Sequence, residues 1–259
     1  MSVPGYAPPV KSLALVLLVG CSTAQSPKLD GGTSDDARPD AFTMPNPDAP
    51  ADAAGPYRRT IAIDGSDDFT AAEQFTTTST AYAARVTWDD EHVYVGYGGP
   101  DIAAGALDAA TKWLFVYVDT DPAATATGAT QSQLYRTQRA TFPTGFGAEL
   151  YARWKADASF ASIERYTSGA WAAAAATLQT ARAGELVELA IPRSALGGAT
   201  TIGLVTFMIN EKDNFEGSFA GLYTGNFTDG YAANLAITKY LLVDFAAERA
   251  PNDPANARP

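Results

Sequence analysis

The chain of 259 residues contains one cysteine, one histidine and three methionines. A lone cysteine has no disulfide partner, so the fold must rest on its own core or on bound ions. Nucleophilic triads need a base, and the only histidine, His92, sits where a polar turn enters a strand, the position of a surface hairpin residue. No glycine-rich phosphate loop lies between a strand and a helix, and no histidine–cysteine cluster is spaced for a metal. Carboxylates are plentiful, but nothing in their order sets a general acid against a nucleophile. These absences point away from an enzyme. Basic residues are scarce as well: 18 Lys and Arg face 29 Asp and Glu, for a net charge of −11. Such an acidic surface excludes nucleic acid and anionic lipid headgroups as partners, because both require clustered cations. Neutral ligands such as sugars, and divalent cations, remain compatible with it. No stretch reaches the roughly 18 consecutive apolar residues of a transmembrane helix.

What the N-terminus does contain is Lys11, the apolar run Leu13 to Val19, and then Leu18-Val19-Gly20-Cys21. A short positive region, a brief apolar segment and small residues before a cleavage point read as a secretory signal. Leu-Val-Gly-Cys resembles a bacterial lipobox, which implies removal of 1–20 and lipidation of Cys21, palmitate included. Loss of Lys11 would make the mature chain one unit more negative. Membrane attachment would then rest on the lipid alone. Ser22 stands where the aspartate of an inner-membrane retention signal would be, so the expected location is the outer membrane or cell envelope. Residues 21–56 are rich in Asp, Pro, Ala, Gly and Ser, have little to bury, and are expected to form a disordered tether. The tail 248–259, with Pro251, Pro254 and Pro259, reads as disordered too.

Between them, 57–247 alternates with a period of two. Tyr82, Ala84, Val86 and Trp88 share a face, Asp89-Asp90-Glu91 forms a turn, and Val93, Val95 and Tyr97 share the next face, which makes a hairpin. Trp113 to Val118 reads as a central strand, and further strands are expected at Glu149–Lys155, Thr177–Ala181, Glu185–Ile191, Thr201–Ile209 and Tyr240–Phe245. One short helical turn is expected near 192–197, opened by Pro192 and stopped by Gly197-Gly198. The alanine run 172–176 is too short for a helix. Many short strands with turns between them predict an all-β, antiparallel two-sheet β-sandwich.

The order of motifs then becomes informative. Ile63-Asp64-Gly65 and Asp67-Asp68-Phe69 come first, then Val86-Thr87-Trp88-Asp89 leading into Val93-Tyr94-Val95. Val116-Tyr117-Val118-Asp119-Thr120-Asp121 follows, and Val187-Glu188-Leu189-Ala190-Ile191-Pro192 closes the series. This succession resembles the DOMON-like β-sandwich modules, and among them the family-9-type carbohydrate-binding modules. The resemblance covers about residues 60 to 246. It implies a sandwich that binds sugars non-catalytically, often beside a catalytic domain and often with structural calcium. No catalytic domain accompanies the module here, and the ligand-stacking tryptophans of the sugar-binding members do not align to definite positions.

Sugars stack their apolar faces on aromatic rings and exchange hydrogen bonds with a few fixed polar groups. Trp88 and Trp113 sit in strands with apolar neighbours and are expected in the core. Trp154, flanked by Arg153 and Lys155, and Trp171, after a Ser-Gly-Ala turn, are the candidates for exposed platforms. The segment Asn210–Asn234 places Phe215, Phe219, Tyr223, Phe227 and Tyr231 at every fourth position among glycines. That much glycine argues for a long aromatic loop, not a helix, with Tyr223, Phe227 and Tyr231 as candidate ligand contacts. The alternative reading is that these rings pin the loop onto the sheet. Asp119 and Asp121 at a strand end, and Asp64, Asp67 and Asp68 in a turn, are candidate calcium ligands, with Asp213 as a further oxygen donor. No cofactor is required. Haem would need axial ligands, and His92 and Met208 are the whole supply in the folded part. The expected function is an envelope lipoprotein that binds oligo- or polysaccharide. A structural protein-interaction module without sugar binding, and a component associated with glycoside hydrolysis, are the alternatives.

Overall fold

The computed structural model describes residues 55–123, 127–212 and 217–259. Cys21, the segment 1–20, most of the tether, Asp213 and Phe215 lie outside the described residues. Fifteen strands follow in chain order: β1 Gln74–Thr76, β2 Ala83–Trp88, β3 His92–Gly98, β4 Lys112–Asp119, β5 Arg139–Thr141, β6 Leu150–Lys155, β7 Ala161–Thr167 and β8 Ala170–Ala173. They continue with β9 Gln179–Ala183, β10 Leu186–Pro192, β11 Thr201–Asn210, β12 Gly217–Phe219, β13 Asn234–Ala236, β14 Tyr240–Asp244 and β15 Ala257–Arg258. Helical structure among the described residues is confined to short 3-10 turns. One of them, Arg193–Leu196, follows Pro192 and ends on Gly197 at φ +67°, as the sequence predicts.

Two antiparallel sheets carry the fold. A five-stranded sheet runs β1-β2-β3-β10-β9, and a larger one runs β15-β14-β11-β4-β6-β7-β8 with β12 paired to β11. Alternation decides what each face buries. Val86, Trp88, Val93, Val95, Tyr97, Val187, Leu189 and Ile191 from the first sheet meet Leu114, Val116, Val118, Leu150, Ala152, Trp154, Leu204 and Met208 from the second. This is the expected sandwich core, and Trp88 is in it.

The outer faces are not left to solvent. On the five-stranded sheet, Ile61 and Phe69 of the entering chain cover Tyr94 and Ala190. The same segment is anchored by Glu188, which accepts hydrogen bonds from the backbone N–H groups of Gly65 (2.8 Å) and Asp64 (3.2 Å). Gly65 takes φ +89° and packs against Ala183, so the Ile-Asp-Gly and Glu-Leu-Ala-Ile-Pro motifs are two halves of one contact. On the larger sheet, Phe115, Tyr117, Tyr151, Val205, Phe207 and Ile209 form an outward apolar face. Residues from two long connections, 127–148 and 220–239, close over it: Tyr135, Phe142, Phe146, Leu235 and Ile237 are buried against those rings. The connections are tied to each other by a short parallel pair, β5 with β13. The expected two-layer sandwich therefore carries a third, irregular layer, and its pairing is not wholly antiparallel.

Residues 248–259 are not a disordered tail. Pro251 and Asn256 are buried, and β15 pairs with β14 through Tyr240–Arg258 and Leu241–Ala257. The Asn256 side chain donates to the carbonyls of Ala250 and Pro251 (3.0 Å each), and Asn252 donates to those of Ala71 and Gln74. Two asparagine side chains thus supply the backbone contacts that prolines cannot make.

Candidate functional site

The site begins with a turn. Ser168 and Gly169 both adopt positive φ (54° and 87°) between Thr167 and Ala170, which pair across the β7–β8 hairpin. Two left-handed residues in succession are the signature of a type I′ turn, which matches the right-handed twist of the flanking strands. The turn fixes the register that sets Trp171 opposite Tyr166. Both rings lie on the outer face of the large sheet. Trp171 meets Tyr166 at 5.1 Å between centroids, Tyr151 edge-on at 4.7 Å and Tyr117 at 6.0 Å. It is half-buried, held on one side by tyrosines.

Its remaining surface faces a cleft of about 460 Å³ walled by residues 129–134, Arg139, Tyr166, Gly169 and Trp171. That volume falls in the range of about 300–1,000 Å³ typical of small-molecule sites. The opposite wall is polar and fixed from behind. Gln133 accepts a hydrogen bond from the Tyr151 hydroxyl (2.7 Å), and its backbone N–H donates to the Tyr117 hydroxyl (3.3 Å). Gln131 bridges Thr141 (3.2 Å) and Arg139 (3.3 Å) through the two ends of its amide. Ser132 Oγ accepts from the Ala140 N–H (2.9 Å), which ties the wall to β5. Burial pushes the Tyr117 and Tyr151 hydroxyls far above the ordinary phenol range, so both remain neutral donors and acceptors. Two rings face a row of amides.

Of the ring residues singled out from the sequence, Trp171 alone lines this cleft. Trp154 is a correction: it is 2% exposed, packed in the sandwich core. Its charged neighbours Arg153 and Lys155 point the other way, onto the Trp113 ring at 5.6 and 5.5 Å. Flanking charges therefore report on the opposite face of a strand, not on the residue between them. Trp113 itself is half-buried beneath those cations and close to Phe160. Tyr223 and Phe227 are likewise packing residues. Tyr223 sits edge-on to Phe75 at 5.8 Å, while Phe227 packs on Phe207 at 6.3 Å, in the other core. Gly221 is required there, since a Cβ would overlap the Phe227 ring. The four-residue spacing marks no common face. Tyr231 is 57% exposed, but its hydroxyl accepts from Thr137 (3.1 Å), away from the cleft lining. Tyr166, Gln131, Gln133 and Arg139 were not singled out from the sequence. Tyr166 was accessible: Ser-Gly as a two-residue turn puts it opposite Trp171.

A second cluster lies at the end of β4. Carboxylate oxygens of Asp119, Asp121 and Glu149 come within 4.8 Å of one another. Asp119 is fully buried and accepts from the N–H groups of Asp121 and Gly147 (2.9 Å each). Burial lifts its carboxyl to about 7; those N–H groups oppose the rise, and the charges of Glu149 and Asp121 add to it. Glu149 is also raised, by burial first. The Thr127 hydroxyl lies within hydrogen-bond reach of both Asp121 (3.2 Å) and Glu149 (3.0 Å). Such a trio could hold a hard cation through oxygen ligands. Glu149 joins it through the β4–β6 register, which places Leu150 beside Val118.

The other expected calcium cluster does not assemble. Asp67 pairs with Arg85 at 2.6 Å, Asp64 caps its own turn by accepting from the Ser66 N–H (2.7 Å), and the N–H groups of Asp64 and Gly65 donate to Glu188. Asp64, Asp67 and Asp68 are turn residues. His92 is a hairpin residue within 3.3 Å of Gln179, with no nucleophile bonded to it among the described residues.

No protein-family model matches the sequence, and no curated protein matches it. Among solved structures, the chain is similar to a carbohydrate-binding module of family 9 from Caldicellulosiruptor kristjanssonii, determined in complex with cellotriose. The identity is 15%, the TM-score is 0.39, and the match covers 70% of this chain and 91% of that one. The ligand of the present protein has to be argued from its own cleft.

Proposed function

We propose that this protein binds carbohydrate non-catalytically in the cleft between Trp171 and the 129–134 wall. The observation that carries the reading is the pairing of a ring platform with an amide row. Trp171 and Tyr166 offer apolar surface of the kind that stacks on sugar C–H faces. Gln131 and Gln133, already oriented by Arg139, Thr141 and Tyr151, offer donors and acceptors to hydroxyls. Polar groups held from behind lose little freedom on binding, which favours affinity. No step of bond cleavage is assigned to the cleft, which no carboxylate lines among the described residues.

The same proposal includes the setting. Cys21 is the lipid attachment point, residues 21–56 a tether, and the cell envelope or outer membrane the location, with the lipid as the only membrane anchor. Structural calcium belongs at Asp119, Asp121 and Glu149, where three carboxylates otherwise repel one another.

Affinity electrophoresis against a panel of polysaccharides tests the binding. Retardation that is lost in Trp171→Ala and retained in Tyr231→Ala is expected. Mobility unchanged on every polysaccharide would leave a protein-interaction module as the better reading. Incorporation of labelled palmitate, abolished by Cys21→Ala, tests the anchor.

A further inference from the structure

The cleft contains one side chain whose charge the stacking-and-amide account leaves unused. In a chain with 29 acidic residues, no carboxylate lines the cleft among the described residues, where Arg139 is the charged group of the lining. Many cations of the domain are paired with a carboxylate, among them Arg58 and Arg193 with Asp90, Arg59 with Glu73, Arg85 with Asp67, Lys112 with Asp101, Arg153 with Glu164, Lys155 with Asp157 and Lys212 with Asp108. Arg139 has no such partner among the described residues. Its guanidinium makes a single 3.3 Å bond, to the neutral oxygen of Gln131. Its Nε is buried with no acceptor.

A guanidinium presents its donors as a planar fork that matches a carboxylate. The backbone of Arg139 is fixed independently, because its N–H donates to the Ala233 carbonyl (3.0 Å) within the β5–β13 pair. Position is therefore set by the cover layer, while the charge is left for something that enters the cleft. We infer that the preferred ligand is a sugar that bears a carboxylate, a hexuronate unit in an acidic oligosaccharide. Its ring lies against Trp171 and its carboxylate is held by Arg139. The inference rests on the carbohydrate reading of the cleft and narrows it. It also reconciles an acidic protein with an acidic ligand, since no acidic side chain lines the cleft among the described residues.

Isothermal titration of the protein with oligogalacturonate and oligoalginate, each beside its carboxyl-reduced neutral counterpart, separates acid recognition from sugar binding. The expected result is that at least one acid oligomer binds about tenfold or more tightly than its reduced form, the scale of a charge-assisted hydrogen bond. Arg139→Gln should bring that ratio to about one, whereas Trp171→Ala should weaken both forms. Binding of the acid form should also weaken with added salt. If reduced and acid forms bind equally, or if Arg139→Gln keeps the preference, the carboxylate inference falls and sugar binding stands. If neither form of either oligomer binds, this inference is overturned, and the polysaccharide panel decides whether the broader reading falls with it. Should Arg139→Gln fail to fold, the acid-to-reduced ratio of the unaltered protein and Arg139→Lys, which keeps charge but loses the fork, decide the same question.

Discussion

Trp154 and Trp171 end on opposite faces of the same sheet, and strand alternation is what separates them. Trp154 follows Ala152 into the sandwich core, while Trp171 follows the outward register set by the Ser168-Gly169 turn. Truncation should therefore cost very different amounts. Trp154→Ala is expected to destabilise by about 3–5 kcal/mol in urea unfolding, and Trp171→Ala by clearly less, since Trp171 is only partly buried. Equal losses would contradict the assignment of faces. The reason the sequence did not separate them is physical: one residue's neighbours in a strand describe the far side of the sheet, and sidedness needs an anchor such as a turn.

Asp119 makes a second residue-scale prediction. Its carboxyl titrates at about 7 in the folded chain, against about 3.9 for an unfolded aspartate. A raised carboxyl pKa means that the folded state holds the proton more tightly. Its contribution is then fully present below about pH 4 and lost as pH rises through about 7. In the presence of chelator, Asp119→Asn should flatten the fall in stability between pH 4 and 8 relative to the unaltered protein. Calcium should raise the melting temperature of the unaltered protein most at the alkaline end, where the carboxylates are ionised. Identical pH profiles for the two proteins would contradict the assignment. The Asp119–Asp121 pair was legible from its spacing at a strand end. Glu149 was not, because it depends on the β4–β6 register.

At the scale of elements, the regular strands were the readable part. The β2–β3 hairpin, β4, β6, β10, β11 and β14 lie where alternation and turn residues put them, within one or two positions. What could not be read are the pieces whose order comes from long-range contact. β5, β12, β13 and β15 are two or three residues each, too short to show a period, and they exist because a neighbouring edge offers hydrogen-bond partners. The proline-rich end is the clearest case. It was read as disordered from composition, yet Asn252 and Asn256 bind carbonyls that keep it on the sheet. Deleting 249–259 should expose the β14 edge, remove the cover from Leu241 and lower the urea midpoint. A truncated chain that melts with the full-length protein would show that β15 adds nothing. The aromatic loop was legible as a long segment of functional or packing character, and packing is what Tyr223 and Phe227 do.

For the whole molecule, the third layer matters most. It buries an outward aromatic face that a bare sandwich would expose, and where it stops short, at the β7–β8 hairpin, Trp171 and Tyr166 are left beside a polar wall. Site and cover are thus one feature, and neither has a sequence signature apart from its turn residues. The acidic exterior and the uncompensated Arg139 then set a charge contrast between surface and cleft. The most direct test follows the four indole N–H signals by NMR while an oligosaccharide that retards the protein is titrated in. The account predicts that the Trp171 signal shifts with saturation and that those of Trp88 and Trp154, enclosed in the core, do not. A saturable shift at Trp154 with Trp171 unmoved, or no shift at any indole while the sugar binds, would contradict it.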